Sequence, residues 1–251
     1  MTEPAAVKQT VSVRERIIVA LDVENVAAAR DVLEELRGEV RAFKIGLQLF
    51  TAAGAAFVRE VAESGVKIFL DLKFHDIPNT VASAAVEAAR LGVWMFNVHA
   101  LGGAEMMRRT VDAVNEVCER ENRTRPKVIA VTVLTSSNAE TLTEVGIESP
   151  VENEVSRLAK LTADSRLDGV VASPHEIGLI RETVAAKDFM IVTPGIRPIN
   201  ATNDDQKRVM TPAEAIAAGL DYLVIGRPIV QAKDRVGAVN EILSNLGSDI
   251  Q

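Results

Sequence analysis

Val66-Lys67-Ile68-Phe69-Leu70-Asp71-Leu72-Lys73 is an apolar run with two charges at its far end. β-Branched and aromatic residues favour extended backbone, and side chains along a strand alternate between faces. Ile68, Leu70 and Leu72 then share one face, and Phe69, Asp71 and Lys73 share the other. A nearly continuous apolar run of this length is the mark of a parallel strand covered on both faces. The charges on the second face are left at the strand end, where they point away from any helix layer.

Outward from this stretch, similar runs recur at Arg16–Asp22, Val40–Gly46, Val93–His99, Lys127–Thr135, Gly169–Ser173, Phe189–Gly195 and Tyr222–Gly226. The intervening segments carry helix punctuation. Val26, Ala29, Leu33 and Leu36 recur at helical spacing before Gly38, and Phe50, Ala53, Phe57 and Val61 do so before Gly65. Ser173-Pro174-His175-Glu176 and Thr211-Pro212-Ala213-Glu214 read as capping boxes with Pro at the first helical position. Ile177, Ile180 and Val184 continue the first of these, and Val236, Val239, Leu243 and Leu246 mark a last helix. Eight alternating strand and helix segments without a composition break predict a single (β/α)8 TIM barrel, an α/β fold, over residues 1–251. Residues 1–12 read as a flexible N-terminal tail. A doubly wound open sheet has the same alternation, but Val23-Glu24-Asn25-Val26 after the first strand is no dinucleotide fingerprint.

The formal charge is −7 and Lys and Arg are scattered, which argues against a nucleic-acid partner. The longest apolar stretches, such as Val128 to Leu134, are strand-sized, so no membrane span is expected and the cytoplasm is the default location. The single cysteine, Cys118, reads as a small core residue.

Chemistry in a barrel sits where strands end and βα loops begin. The polar residues there are Asp22, Lys44, Asp71, Lys73, Asp76, Asn97, His99, Thr135, Arg197 and Arg227. Lys44 stands between Phe43 and Ile45, so it shares the inward face expected for Asp71 and Lys73. A network of buried ion pairs adds little net stability after desolvation, which favours a functional role for these charges. A long polar stretch, Arg197 to Met210, with Asn200, Asn203, Asp204, Asp205 and Gln206, reads as a functional loop. With Gly226 and Arg227 it occupies the place where barrel enzymes often bind phosphate. Of the histidines, His175 reads as a first-turn surface residue, His75 as a loop-shaping one and His99 as a pocket candidate. No His, Asp or Glu grouping has metal-ligand spacing, and there is no nucleophile elbow or P-loop.

The run Phe69 to Thr80, with Asp71-Leu72-Lys73-Phe74-His75-Asp76, resembles the Asp-x-Lys-x-x-Asp signature of the orotidine monophosphate decarboxylase family in its bacterial form. The resemblance extends through Ala20-Leu21-Asp22, Phe43 to Gly46, Val133 to Ser136, Thr193 to Arg197, Asp205 to Arg208 and Ile225 to Arg227. It implies cofactor-free decarboxylation of orotidine 5′-phosphate to UMP. It implies that Lys44, Asp71, Lys73 and Asp76 form the catalytic charge array, with Lys73 as proton donor to C6 and Asp76 reaching into the partner's site of a homodimer. Asp22 and Thr80 are implied as ribose contacts, Thr135 as a pyrimidine contact, and Arg197, Gln206, Gly226 and Arg227 as the phosphate grip. Two other readings use the same scaffold: a magnesium-dependent phosphosugar decarboxylase or aldolase, and a non-catalytic phosphoribosyl-ligand sensor. The first needs an acidic metal ligand where Lys44 stands, and the second would be free to lose Lys73.

Overall fold

The computed structural model describes residues 13–195 and 210–247. After a 3-10 turn at Val13–Arg16 come β1 (Ile17–Ala20), α1 (Val26–Leu36), β2 (Ala42–Gly46), α2 (Leu47–Glu63), β3 (Lys67–Phe74), α3 (Pro78–Arg90), β4 (Met95–His99), α4 (Gly103–Arg120) and β5 (Lys127–Val131). There follow α5 (Ala139–Glu144), α6 (Val151–Asp164), β6 (Gly169–Val171), α7 (Ile177–Thr183), β7 (Met190–Pro194), α8 (Pro212–Ala217), β8 (Tyr222–Ile225), α9 (Arg227–Val230) and α10 (Arg235–Gly247). The strands pair in parallel in chain order, and β8 closes onto β1. Closure rules out the open doubly wound sheet.

Every expected strand forms, although several end early. The run Lys127–Thr135 leaves the sheet after Val131, and its last residues belong to the loop. The helices are more numerous than one per strand among the described residues: α5 and α6 both follow β5, and α9 and α10 both follow β8. α2 begins at Leu47 rather than Phe50, and Gly54, at φ 71° and ψ −178°, breaks its regular path. Asn25 caps α1 by accepting from the Ala28 amide at 2.9 Å, and both expected capping boxes form.

Alternation along the strands builds two cores. Ile18, Ala42, Phe69, Met95, Ile129 and Val192 fill the barrel interior. Phe43, Ile45, Ile68 and Leu70 point outward and pack with Leu33, Phe57, Val81 and Val111 from the helices. Cys118 is buried with this outer layer, and burial pushes its thiol pKa up. Among the described residues no helix is long and apolar enough to cross a membrane.

The bottom of the barrel uses one device twice. Asp168, just before β6, accepts from the Val128 amide of β5 at 2.8 Å and from Arg125 at 2.7 Å. Asp221, just before β8, accepts from the Ile191 amide of β7 at 2.8 Å and from Arg181 at 2.5 Å. Each carboxylate satisfies a strand N–H at the sheet's starting edge. Gly169 follows Asp168 because an added Cβ there would collide with the Met190 carbonyl oxygen. Trp94 and Tyr222 close the floor edge to face, 5.2 Å apart. Asp168→Ala should therefore lower unfolding free energy in urea by about 1–3 kcal/mol, by stranding a buried donor. Asp168→Asn keeps an acceptor and should lose less; equal losses would contradict this role.

Candidate active site

A cavity of about 860 Å³ opens at the C-terminal ends of the strands. Asp22, Lys44, Asp71, Lys73, Thr135, Gly226 and Arg227 all line it, so the strand ends converge as expected for a barrel. Phe69, Val131, Val171 and Val224 form its apolar floor.

Three strands deliver charges of alternating sign. Asp22 Oδ1 lies 3.2 Å from Lys44 Nζ, which lies 3.3 Å from Asp71 Oδ2. Lys73 Nζ lies 2.6 Å from Asp71 Oδ1. The Asp71 side chain is 13% exposed and Lys44 11%, while Lys73 is 30% exposed and reaches the cavity. Burial alone would raise the Asp71 pKa, but the Lys44 and Lys73 ammonium groups, with hydrogen bonds from Lys73 and Asn97, hold it below the usual carboxylate range. Gly46 makes room for this arrangement, since a Cβ there would lie 3.0 Å from Lys44 Nζ.

The end of β3 departs from the regular strand anticipated from sequence. Leu70 pairs with Phe96 and Phe74 with Val98, so the register shifts across Asp71, Leu72 and Lys73. Lys73 lies at φ 53°, a backbone region that L-residues other than Asn and Asp rarely occupy. Its amide donates to Asn97 Oδ1 at 2.8 Å instead of continuing the sheet ladder, and Asn97 Nδ2 donates to Asp71 Oδ1 at 2.7 Å. Asp71 and Lys73 still meet at the cavity, through this bulge rather than through simple alternation.

Two histidines exchange their expected places. His99 does not line the cavity; it lies half-buried and stacks on His75 with ring centroids 5.5 Å apart. Burial, then His75 and Lys73, push its pKa down, against a smaller opposing effect of Asp71. His175 does line the cavity, because the capped 3-10 turn at Pro174–Glu176 sits directly after β6. Asp76 and Thr80 are exposed and do not line the cavity of their own chain. Asp76 accepts from the Ile77 amide at 2.6 Å, and Ile77 beside it is 68% exposed. Arg197 and Gln206 lie outside the described residues. Arg227 is exposed, and its guanidinium makes no hydrogen bond or ion pair among the described residues.

A closed parallel barrel with a charge-lined mouth defines an enzyme of the (β/α)8 class that works at its strand ends. The chain belongs to the Orotidine 5′-phosphate decarboxylase / HUMPS family, whose sequence profile matches residues 15–242. It is 59% identical over 233 residues to the orotidine 5′-phosphate decarboxylase of Geobacter sulfurreducens, covering 93% of this chain and 96% of that one. It is 54% identical over 241 residues to the protein of the same name from Syntrophotalea carbinolica, covering 96% of this chain and 98% of the other. The crystal structure of orotidine 5′-phosphate decarboxylase from Lactobacillus acidophilus matches with a TM-score of 0.81 at 37% identity, over 92% of this chain and 99% of that one.

The lowered Asp71 pKa fixes a sign for acid stability. The ionised carboxylate is favoured in the folded state, so its contribution is present above the unfolded-state pKa of about 4 and is lost as pH falls through the lower folded value. Asp71→Asn should be less stable than the wild type at neutral pH, because Lys44 and Lys73 then face each other without their shared anion. The gap, measured by denaturant unfolding, should narrow below about pH 4. A gap that does not change with pH would contradict this charge balance.

Proposed function

We propose that this chain removes CO₂ from C6 of orotidine 5′-phosphate to give UMP, without a cofactor, in cytoplasmic pyrimidine synthesis. The observation that carries the reading is Asp71 held between Lys44 and Lys73 at the cavity wall. Departure of CO₂ leaves an electron pair on C6 that has no cofactor to delocalise it. Lys73 supplies a nearby cation to stabilise that charge, and then a proton from Nζ to form the C6–H bond. Asp71 holds the Lys73 ammonium in place, and its carboxylate disfavours a second carboxylate beside it, which assists release of CO₂. Lys44 balances Asp71 and, with Asp22, faces the ribose.

Thr135 contacts the pyrimidine. Gly226 and Arg227, with Arg197 and Gln206, hold the phosphate. Binding energy from that remote group orients the ring and excludes water from the reacting end. The free guanidinium of Arg227 suits this task. Asp76 and Thr80 serve the partner's site in a homodimer; Asp76, just before α3, and Thr80, in its first turn, are exposed and do not line the cavity of their own chain. The magnesium-dependent reading is disfavoured because the Lys44 ammonium, 3.3 Å from Asp71, would repel a divalent cation there.

The direct test is UMP formation from orotidine 5′-phosphate by the purified protein, with and without excess EDTA. Turnover insensitive to chelation is expected; loss on chelation with recovery in magnesium would favour the phosphosugar chemistry. Lys73→Ala should lower kcat by roughly a hundred- to ten-thousandfold or more while UMP still binds. Activity within about tenfold of wild type, a barrier change near 1.4 kcal/mol, would remove Lys73 from the chemistry.

The shared site has its own test. Lys73→Ala and Asp76→Ala subunits, mixed equally with free exchange, should form mixed dimers in which one site carries both lesions and the other neither. Two nearly inactive proteins should then recover about a quarter of wild-type activity. No recovery, with exchange confirmed by a tag, would return Asp76 to its own subunit's site or argue against the dimer.

A further inference from the structure

We infer that Asn97 is a positioning residue for decarboxylation, a role that rests on the reading of Lys73 and Asp71 as the reacting pair. Asn97 is the middle residue of β4 and points to the barrel interior, as Met95 and His99 do. It is 1% exposed and does not line the cavity, so it acts through its neighbours rather than on substrate.

Its place in the sheet explains what it does. From Leu70 to Phe74 the chain advances four residues, while the paired segment of β4 advances two, from Phe96 to Val98. Asn97 is the one residue of β4 opposite this bulge, and its amide side chain substitutes for the missing ladder. The Oδ1 atom accepts from the Lys73 amide at 2.8 Å, holding a backbone at φ 53° that a lysine rarely adopts. The Nδ2 atom donates to Asp71 Oδ1 at 2.7 Å, the same oxygen that takes the Lys73 ammonium at 2.6 Å. One side chain therefore fixes the lysine's backbone and the carboxylate that aims its Nζ. An apolar residue could do neither, and a carboxylate could do only the first.

Asn97→Asp and Asn97→Ala test this against the wild type and Lys73→Ala. Asp keeps an acceptor for the Lys73 amide but sets a negative charge against Asp71. Asn97 bonds to Asp71 and to the Lys73 amide; Lys44 on β2 meets the other oxygen of Asp71, and His99, two residues along β4, packs against His75. These charged and titratable groups are common to the wild type and both variants, so the readout is the variant-to-wild-type ratio at each pH. Both variants should lose about tenfold or more in kcat, with UMP affinity within about threefold of wild type. The Asn97→Asp deficit should shrink as pH falls, because the protonated acid regains a donor for Asp71, while the Asn97→Ala deficit stays constant.

Unchanged kcat in both variants would overturn the inference. So would a loss that follows melting temperature or UMP affinity, or an Asn97→Asp deficit that ignores pH. Should Asn97→Asp fail to fold, the split between kcat and UMP affinity in Asn97→Ala decides alone. Failure of the underlying reading looks different: Lys73→Ala would keep its activity, or the wild type would release no CO₂ from orotidine 5′-phosphate.

Discussion

Two ammonium groups share one buried carboxylate at the mouth of this barrel, and the rest of the site is arranged around that competition. Asp71 meets Lys44 through one oxygen and Lys73 through the other. Neither cation is fully neutralised by a partner of its own, because Asp22 reaches only Lys44 and is itself largely exposed. Such an arrangement is a poor source of stability, since desolvating charges offsets most of their attraction. It is a good source of a fixed field in a place where water is partly excluded. Parallel closure makes it possible: β1, β2 and β3 are neighbours, so their ends present Asp22, Lys44, Asp71 and Lys73 side by side.

The strand ends differ in chemistry. Charges from the first three strands gather around Asp71, while the turn after β8 supplies Gly226 and Arg227, whose guanidinium has no hydrogen bond or ion pair among the described residues. The net charge of −7 does not oppose an anionic substrate, because local field rather than total charge governs approach to a cleft. The same cavity is lined by the apolar side chains of Phe69, Val131, Val171 and Val224, which suit a flat ring and lower the local dielectric.

Short, nearly continuous apolar runs located all eight strands, and the buried Ile68, Leu70, Phe43 and Ile45 face the helices as their alternation required. Alternation also points Asp71, Lys73 and Lys44 inward, and all three do line one cavity, although Asp71 and Lys73 reach it through the bulge. It could not foresee the bulge at Lys73, because nothing in Leu72-Lys73-Phe74 marks a left-handed residue; the side chain that takes the Lys73 amide lies on another strand, at Asn97. The available signal in the sequence is a polar residue at an inward position between Met95 and His99. His175 lines the cavity and His99 does not, for a related reason. Strand alternation predicts which side a residue faces, while depth below the rim depends on register and loop path. Asp76 and Thr80 do not line the cavity of their own chain.

The central claim is that Lys73 hands a proton to a C6 carbanion stabilised by this field. Microscopic reversibility then requires the enzyme to take that proton back from bound UMP. The most direct measurement is exchange of the C6 hydrogen of UMP in heavy water, followed by proton NMR. The account predicts slow deuterium incorporation at C6 with the wild type and none above background with Lys73→Ala. Undiminished exchange in the variant, or no exchange in wild type that demonstrably binds UMP, would contradict it.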